Sequence, residues 1–122
     1  MSRTKVKLPN ITPGPWQQYD PLYVQAGFND VLDERDRTLM FVCNLGDDER
    51  AAANGRVAAC VPEMLEEIKR RFLGLAARPV AKLSSEERTD LWRTRTLLLQ
   101  MGCTISNERA DARAFFACCE TE

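Results

Sequence analysis

The stretch Ala51–Lys69, AAANGRVAACVPEMLEEIK, constrains this chain most. Its first half is alanine-rich and helix-favouring up to Cys60. Pro62 follows, which a continuous helix does not tolerate but the first turn of a new one does. The spacing therefore predicts a helix over 47–60, a break, and a second helix over 62–76. In the second, Val61, Met64, Leu65, Ile68 and Phe72 recur at the interval of one buried stripe. Gly55 inside the first costs about 1 kcal/mol relative to alanine, which close packing against a neighbour would explain.

Upstream, Trp16–Tyr19, residues 22–25, residues 28–32 and residues 38–44 read as short strands separated by Asp20-Pro21 and the charged turn 33–37. TLMFVCN (38–44) is apolar on both faces and is expected at the centre of a small meander, covered by helices on one side. Downstream, Ser84-Ser85-Glu86-Glu87 is a capping box opening a helix over 84–101. Leu91, Leu98 and Met101 mark its core face, and Gly102 is a stop signal. Thr104 or Ser106 would cap a last helix over 105–119, with Ala112, Phe115, Phe116 and Cys119 inward. The expected architecture is α+β: an antiparallel β-meander over about 15–44, then about four helices, with strands and helices segregated along the chain.

At 122 residues a single domain is expected, with the basic stretch 1–10 as a mobile arm. No apolar region follows that stretch, so no secretory signal is expected, and no apolar run is long enough to span a bilayer. The five cysteines are odd in number and irregularly spaced. That fits a reducing cytosol and mostly buried free thiols better than a disulfide framework.

The residues Thr12-Pro13-Gly14-Pro15-Trp16, followed by Ala53-Asn54-Gly55-Arg56-Val57-Ala58-Ala59-Cys60-Val61-Pro62-Glu63-Met64-Leu65-Glu66, resemble a pattern in small accessory proteins of tailed phages and prophages. That pattern has a TPGPW-like start, a few short strands and an ANARLIAAAPELLEAL-like helical segment. The resemblance covers about residues 11–72. It departs at Gly55 and at Cys60-Val61, where the pattern has small residues and alanines. It implies a phage-encoded protein acting in the cytoplasm of a bacterial host, and transfers no catalytic residue. Inhibitors of host defence such as anti-CRISPR proteins are the contextual expectation.

The chemistry in the residues is sparse. With no histidine, Ser-His-Asp and Cys-His nucleophile arrangements and His-containing zinc sites are excluded. No C-x-x-C pair, phosphate-binding P-loop or dinucleotide-binding turn is present. The reading is therefore of a non-enzymatic protein without cofactor or metal.

Net charge is −1, which argues against general affinity for nucleic acid, and no sequence-specific nucleic-acid binding is expected. The charge is nonetheless segregated. Residues 46–67 carry Asp47, Asp48, Glu49, Glu63, Glu66 and Glu67 against two arginines; residues 69–113 carry ten Lys or Arg against five Asp or Glu. The six acids are the candidate partner-binding face, mimicking phosphates toward a host complex that binds nucleic acid, or simply solvated helix faces. Arg88, Trp92, Arg93 and Arg95 are a candidate anion-binding face, or an internal stack of arginine on tryptophan. Three functions follow: a binding protein that inhibits a host protein complex, a protein that sequesters a nucleotide signal, and a homodimeric module pairing through Leu97–Met101 and Phe115–Phe116. Trp16 with Tyr19 and Tyr23 is either a recognition surface or a pin for the N-terminal strand.

Overall fold

The computed structural model describes residues 3–18, 31–32, 34–35, 38–40 and 48–120. The architecture is α+β, as expected, with four α-helices and two small antiparallel sheets among the described residues. The chain divides into two compact units, Thr12–Leu65 and a discontinuous one of Met1–Ile11 with Glu66–Glu122.

In the unit Thr12–Leu65, β2 (Gln17–Gln18), β3 (Val31–Leu32) and β4 (Thr38–Met40) form an antiparallel sheet in that order. The expected meander is present. Among the described residues its central strand is β3, however, and β4 is an outer strand of the three. Val31 and Leu32 are both buried, which requires cover on both faces of β3. The strand expected at 22–25 and residues 41–44 lie outside the described residues.

Helix α1 (Asp48–Ala59) packs against β2 and β3. Its buried positions, Ala51 and Gly55, lie one turn apart, so the interior glycine is on the packed side. Gln18 Nε2 donates to the Ala52 carbonyl at 2.9 Å. Residues 12–16 form a compact loop in which half-buried Trp16 donates through Nε1 to the Thr12 carbonyl at 3.0 Å. A Cβ on Gly14 would stand 2.8 Å from Pro62 Cβ, so glycine is required by this close approach.

Helix α2 (Val61–Ala76) starts at the break around Pro62. Leu65, Phe72, Leu75 and Ala76 are its buried residues. Met64, expected in the stripe, is 46% exposed. After a 3₁₀ turn (Val80–Lys82), α3 (Ser85–Gln100) opens on the expected box. Glu87 N–H donates to Ser84 Oγ at 3.1 Å, and Ser84 N–H donates to Glu87 Oε1 at 3.0 Å.

Leu91 and Leu98 are the buried residues of α3, while Leu97 and Leu99 are exposed. The helix ends as Gly102 predicts. Cys103 N–H donates to the Leu98 carbonyl and Gly102 N–H to the Leu99 carbonyl, with Gly102 at φ +87°. This is the Schellman pattern, and Leu98 and Cys103, the two residues its longer bond joins, are both buried.

Thr104–Ser106 do not cap a helix. They form β5, which pairs antiparallel with β1 (Lys5–Lys7): Lys5 opposite Ser106, Val6 opposite Ile105, Lys7 opposite Thr104. Part of the basic N-terminal stretch is thus a strand rather than an unpaired arm. Strands and helices are correspondingly less segregated than expected. Helix α4 (Ala110–Glu120) follows, with Ala112 and Phe116 buried. Asp111 in its first turn accepts the Val80 N–H at 2.8 Å, tying α4 to the 3₁₀ turn. Of the described cysteines only Cys103 is buried; Cys60 and Cys118 are exposed and Cys119 is half-buried. All four are free thiols, as expected, but most of them are not the buried ones expected.

Candidate functional site

Helical geometry sets which charges on α2 share a side. Glu63, Glu66 and Glu67 stand at i, i+3 and i+4, on one side of the helix near its N-terminal end, where the dipole favours carboxylates. All three are exposed. Glu67 is taken by Arg70 through a 2.7 Å ion pair. Glu63 and Glu66 have no partner among the described residues. Of the other acidic candidates, Glu49 is exposed in the first turn of α1. Asp48 begins that helix, its side chain outside the described set, and Asp47 lies outside the described residues.

The basic candidates on α3 have a different fate. Arg88, Trp92 and Arg95 at i, i+4 and i+7 point to the same side, and that side is occupied by the protein itself. Arg88 Nε donates to the Val80 carbonyl at 3.1 Å. Arg95 holds Glu108 in a forked pair, Nε to Oε1 at 2.7 Å and Nη2 to Oε2 at 3.3 Å. Its guanidinium lies 4.2 Å from the Phe116 ring centroid. Trp92 packs on that same ring at 6.3 Å between centroids. Arg95 thus stacks on Phe116, not on Trp92 as the alternative reading had it. Arg93 alone projects into solvent, because it falls off the i, i+4, i+7 row. The four side chains do not make one open anion surface.

A third cluster was not singled out in the sequence. Between α2 and α3 an open concavity of about 420 Å³ is lined by Glu67, Arg70, Arg71, Gly74, Leu75, Arg78 and Glu87. Arg71 pairs with Asp90 at 2.8 Å and Arg78 with Glu87 at 2.5 Å. The first pair joins α2 to α3, and the second ties the segment after α2 to the start of α3. The Ser84 amide, and after it Arg78, hold the Glu87 carboxyl below the usual glutamate range. The signal was available in the i, i+4, i+8 spacing of Arg70, Gly74 and Arg78, matched by acids early in the next helix. Each arginine here already faces a carboxylate, so the concavity is close to electroneutral.

The surfaces offered for self-association are only partly free. Leu97 and Leu99 are each 44% exposed, but Phe116 is buried and Phe115 half-buried. Tyr19 and Tyr23 lie outside the described residues. Among the described residues no group of three or more His, Cys, Asp or Glu side chains is placed to hold a metal ion. No helix among them is long and apolar enough to cross a membrane. Comparison with protein-family models, curated proteins and solved structures gives no match.

Proposed function

We propose that this chain is a non-enzymatic binding protein that docks a basic surface of a host protein complex through the N-terminal half of α2. The observation that carries this reading is the pair of unpartnered carboxylates, Glu63 and Glu66, beside the exposed side chain of Met64. Carboxylates with no internal partner are free to meet arginines or lysines of another protein. An apolar side chain among them supplies area for a contact that excludes water. The sharper form is a phage-encoded inhibitor of a host defence complex of the anti-CRISPR kind, acting in the bacterial cytoplasm. It rests on the resemblance of residues 11–72 to the phage proteins.

The test is affinity capture from a host lysate, with and without nuclease, using the wild type and the charge-reversed E63K/E66K. A stoichiometric, nuclease-resistant complex that the reversed variant fails to capture, with its circular dichroism unchanged, supports the reading. Equal capture by both proteins sinks it. A captured complex with no role in defence removes the sharper form alone.

A further inference from the structure

The ribbon made by β1 and β5 places four side chains on one face. In an antiparallel pair, directly opposed residues point to the same side, and successive pairs alternate. Val6 and Ile105, the middle pair, turn one way; Val6 is buried and Ile105 half-buried. The flanking pairs, Lys5 with Ser106 and Lys7 with Thr104, therefore turn the other way, and all four residues are exposed. None of the four side chains has a hydrogen bond or ion pair among the described residues. Arg3, also exposed and unpartnered, precedes the strand. Among the described residues the ribbon's outer face is thus two ammonium groups, each opposite a hydroxyl without a partner, with no carboxylate on it.

From this placement we infer that the outer face of the β1–β5 ribbon is a contact surface for the phosphodiester backbone of single-stranded nucleic acid. Lysine and Ser/Thr hydroxyls are the side chains that hold phosphate oxygens without reading bases. Lys5 and Lys7 are two strand positions apart, about 6.7 Å, so the charges form a row rather than a point. An open strand edge by itself accounts for lysines, which discourage edge-to-edge pairing. It does not account for hydroxyls left unpartnered opposite both of them. A lipid surface fits less well, because the ribbon's apolar pair is turned inward and polybasic lipid recognition uses larger clusters. The whole chain is slightly acidic, so attraction to a polyanion would come from this face and not from net charge. The inference does not rest on the acidic side of α2, and its test uses the purified chain without any protein partner.

The experiment titrates the full chain into a fluorescein-labelled oligothymidylate of about 12 nucleotides, a length on the scale of single-strand sites, and follows anisotropy over a salt series. Contacts from Arg3, Lys5 and Lys7 give a slope of log K against log salt of about −2. The variant K5Q/K7Q binds at least about tenfold more weakly at low salt, and its slope falls to about −0.7. T104A/S106A weakens binding severalfold with the slope unchanged, because it removes no charge. R113Q, which removes an exposed arginine on α4, binds as wild type does. Equal loss in R113Q, unchanged binding by K5Q/K7Q, or no binding by the wild type at low salt each overturns the inference. So does K5Q/K7Q-sensitive binding to phosphatidylserine vesicles without binding to the oligonucleotide. Unchanged thermal unfolding of each variant shows that the ribbon, held by backbone bonds, is still formed.

Discussion

Removing the partner of Arg95 should destabilise the unit that contains α3 and α4 more than any surface change in it. In Glu108→Gln the guanidinium of Arg95 keeps its place over Phe116 but loses a forked, charge-assisted pair. The two side chains are only 17% and 13% exposed, so water replaces the carboxylate poorly. Breaking a buried pair from one side costs about 3–5 kcal/mol. The residual exposure lowers this, as does the Glu120 carboxylate, 3.7 Å away and able to take part of the load. A loss of about 2–3 kcal/mol follows. With a urea m-value of about 2 kcal/mol/M, the midpoint should fall by about 1.2 M.

The assay is urea unfolding read by Trp92, which packs on the same Phe116 ring, in a Trp16→Phe background that silences the other indole. The double variant R95M/E108L should recover at least half the loss, because matched apolar groups replace a buried pair better than a lone charge does. A midpoint drop below about 0.25 M for E108Q, or a double variant worse than the single, would refute the reasoning.

Gly14→Ala should destabilise by about 1–3 kcal/mol, because the new methyl meets the Pro62 ring at 2.8 Å; a thermal melt checks it. Gly102→Ala meets nothing closer than Pro9 at 3.6 Å, so only left-handed backbone strain remains, about 1 kcal/mol in the same assay. Ser84→Ala removes the cap of α3 and should lower stability by about 1 kcal/mol in urea unfolding. The carboxyls of Glu87 and Asp111 titrate below their ordinary values, each held first by a backbone amide. Their contribution is therefore complete above the ordinary carboxylate range and is lost as pH falls through the lowered values. D111N should flatten the acid limb of a stability–pH profile, and an unchanged limb would count against that assignment.

The helices were legible because their signals are local. The break at Pro62, the box Ser84–Glu87 and the stop at Gly102 each act within a few residues, and the structure uses all three. Burial within a helix was less legible. Met64 fits an apolar stripe by spacing but is exposed, since spacing says which side a residue is on and not how far the cover extends. The ribbon escaped notice because each strand is three residues long and its partner lies about a hundred positions away, so no local pattern marks it. The same distance hid the roles of the arginines on α3. Sequence left Arg95 open between an anion-binding face and an internal stack, because Glu108 and Phe116 are brought to it only by the return of α4.

That ribbon has a consequence for the order in which the chain is made. Thr4 Oγ1 donates to the carbonyl of Asn107, 103 residues on, and β1 has no sheet partner until β5 exists. Residues 12–65 are contiguous and need no later segment to form their own contacts. During synthesis β1 therefore has no strand partner among the described residues until residues 104–106 have emerged. Closing a loop of that length in an unfolded chain carries an entropic term of about 4 kcal/mol, so the ribbon forms late. A strand that waits so long in a crowded cell is exposed to other strands. Charges at Lys5 and Lys7 make it a poor template for them until its proper partner arrives.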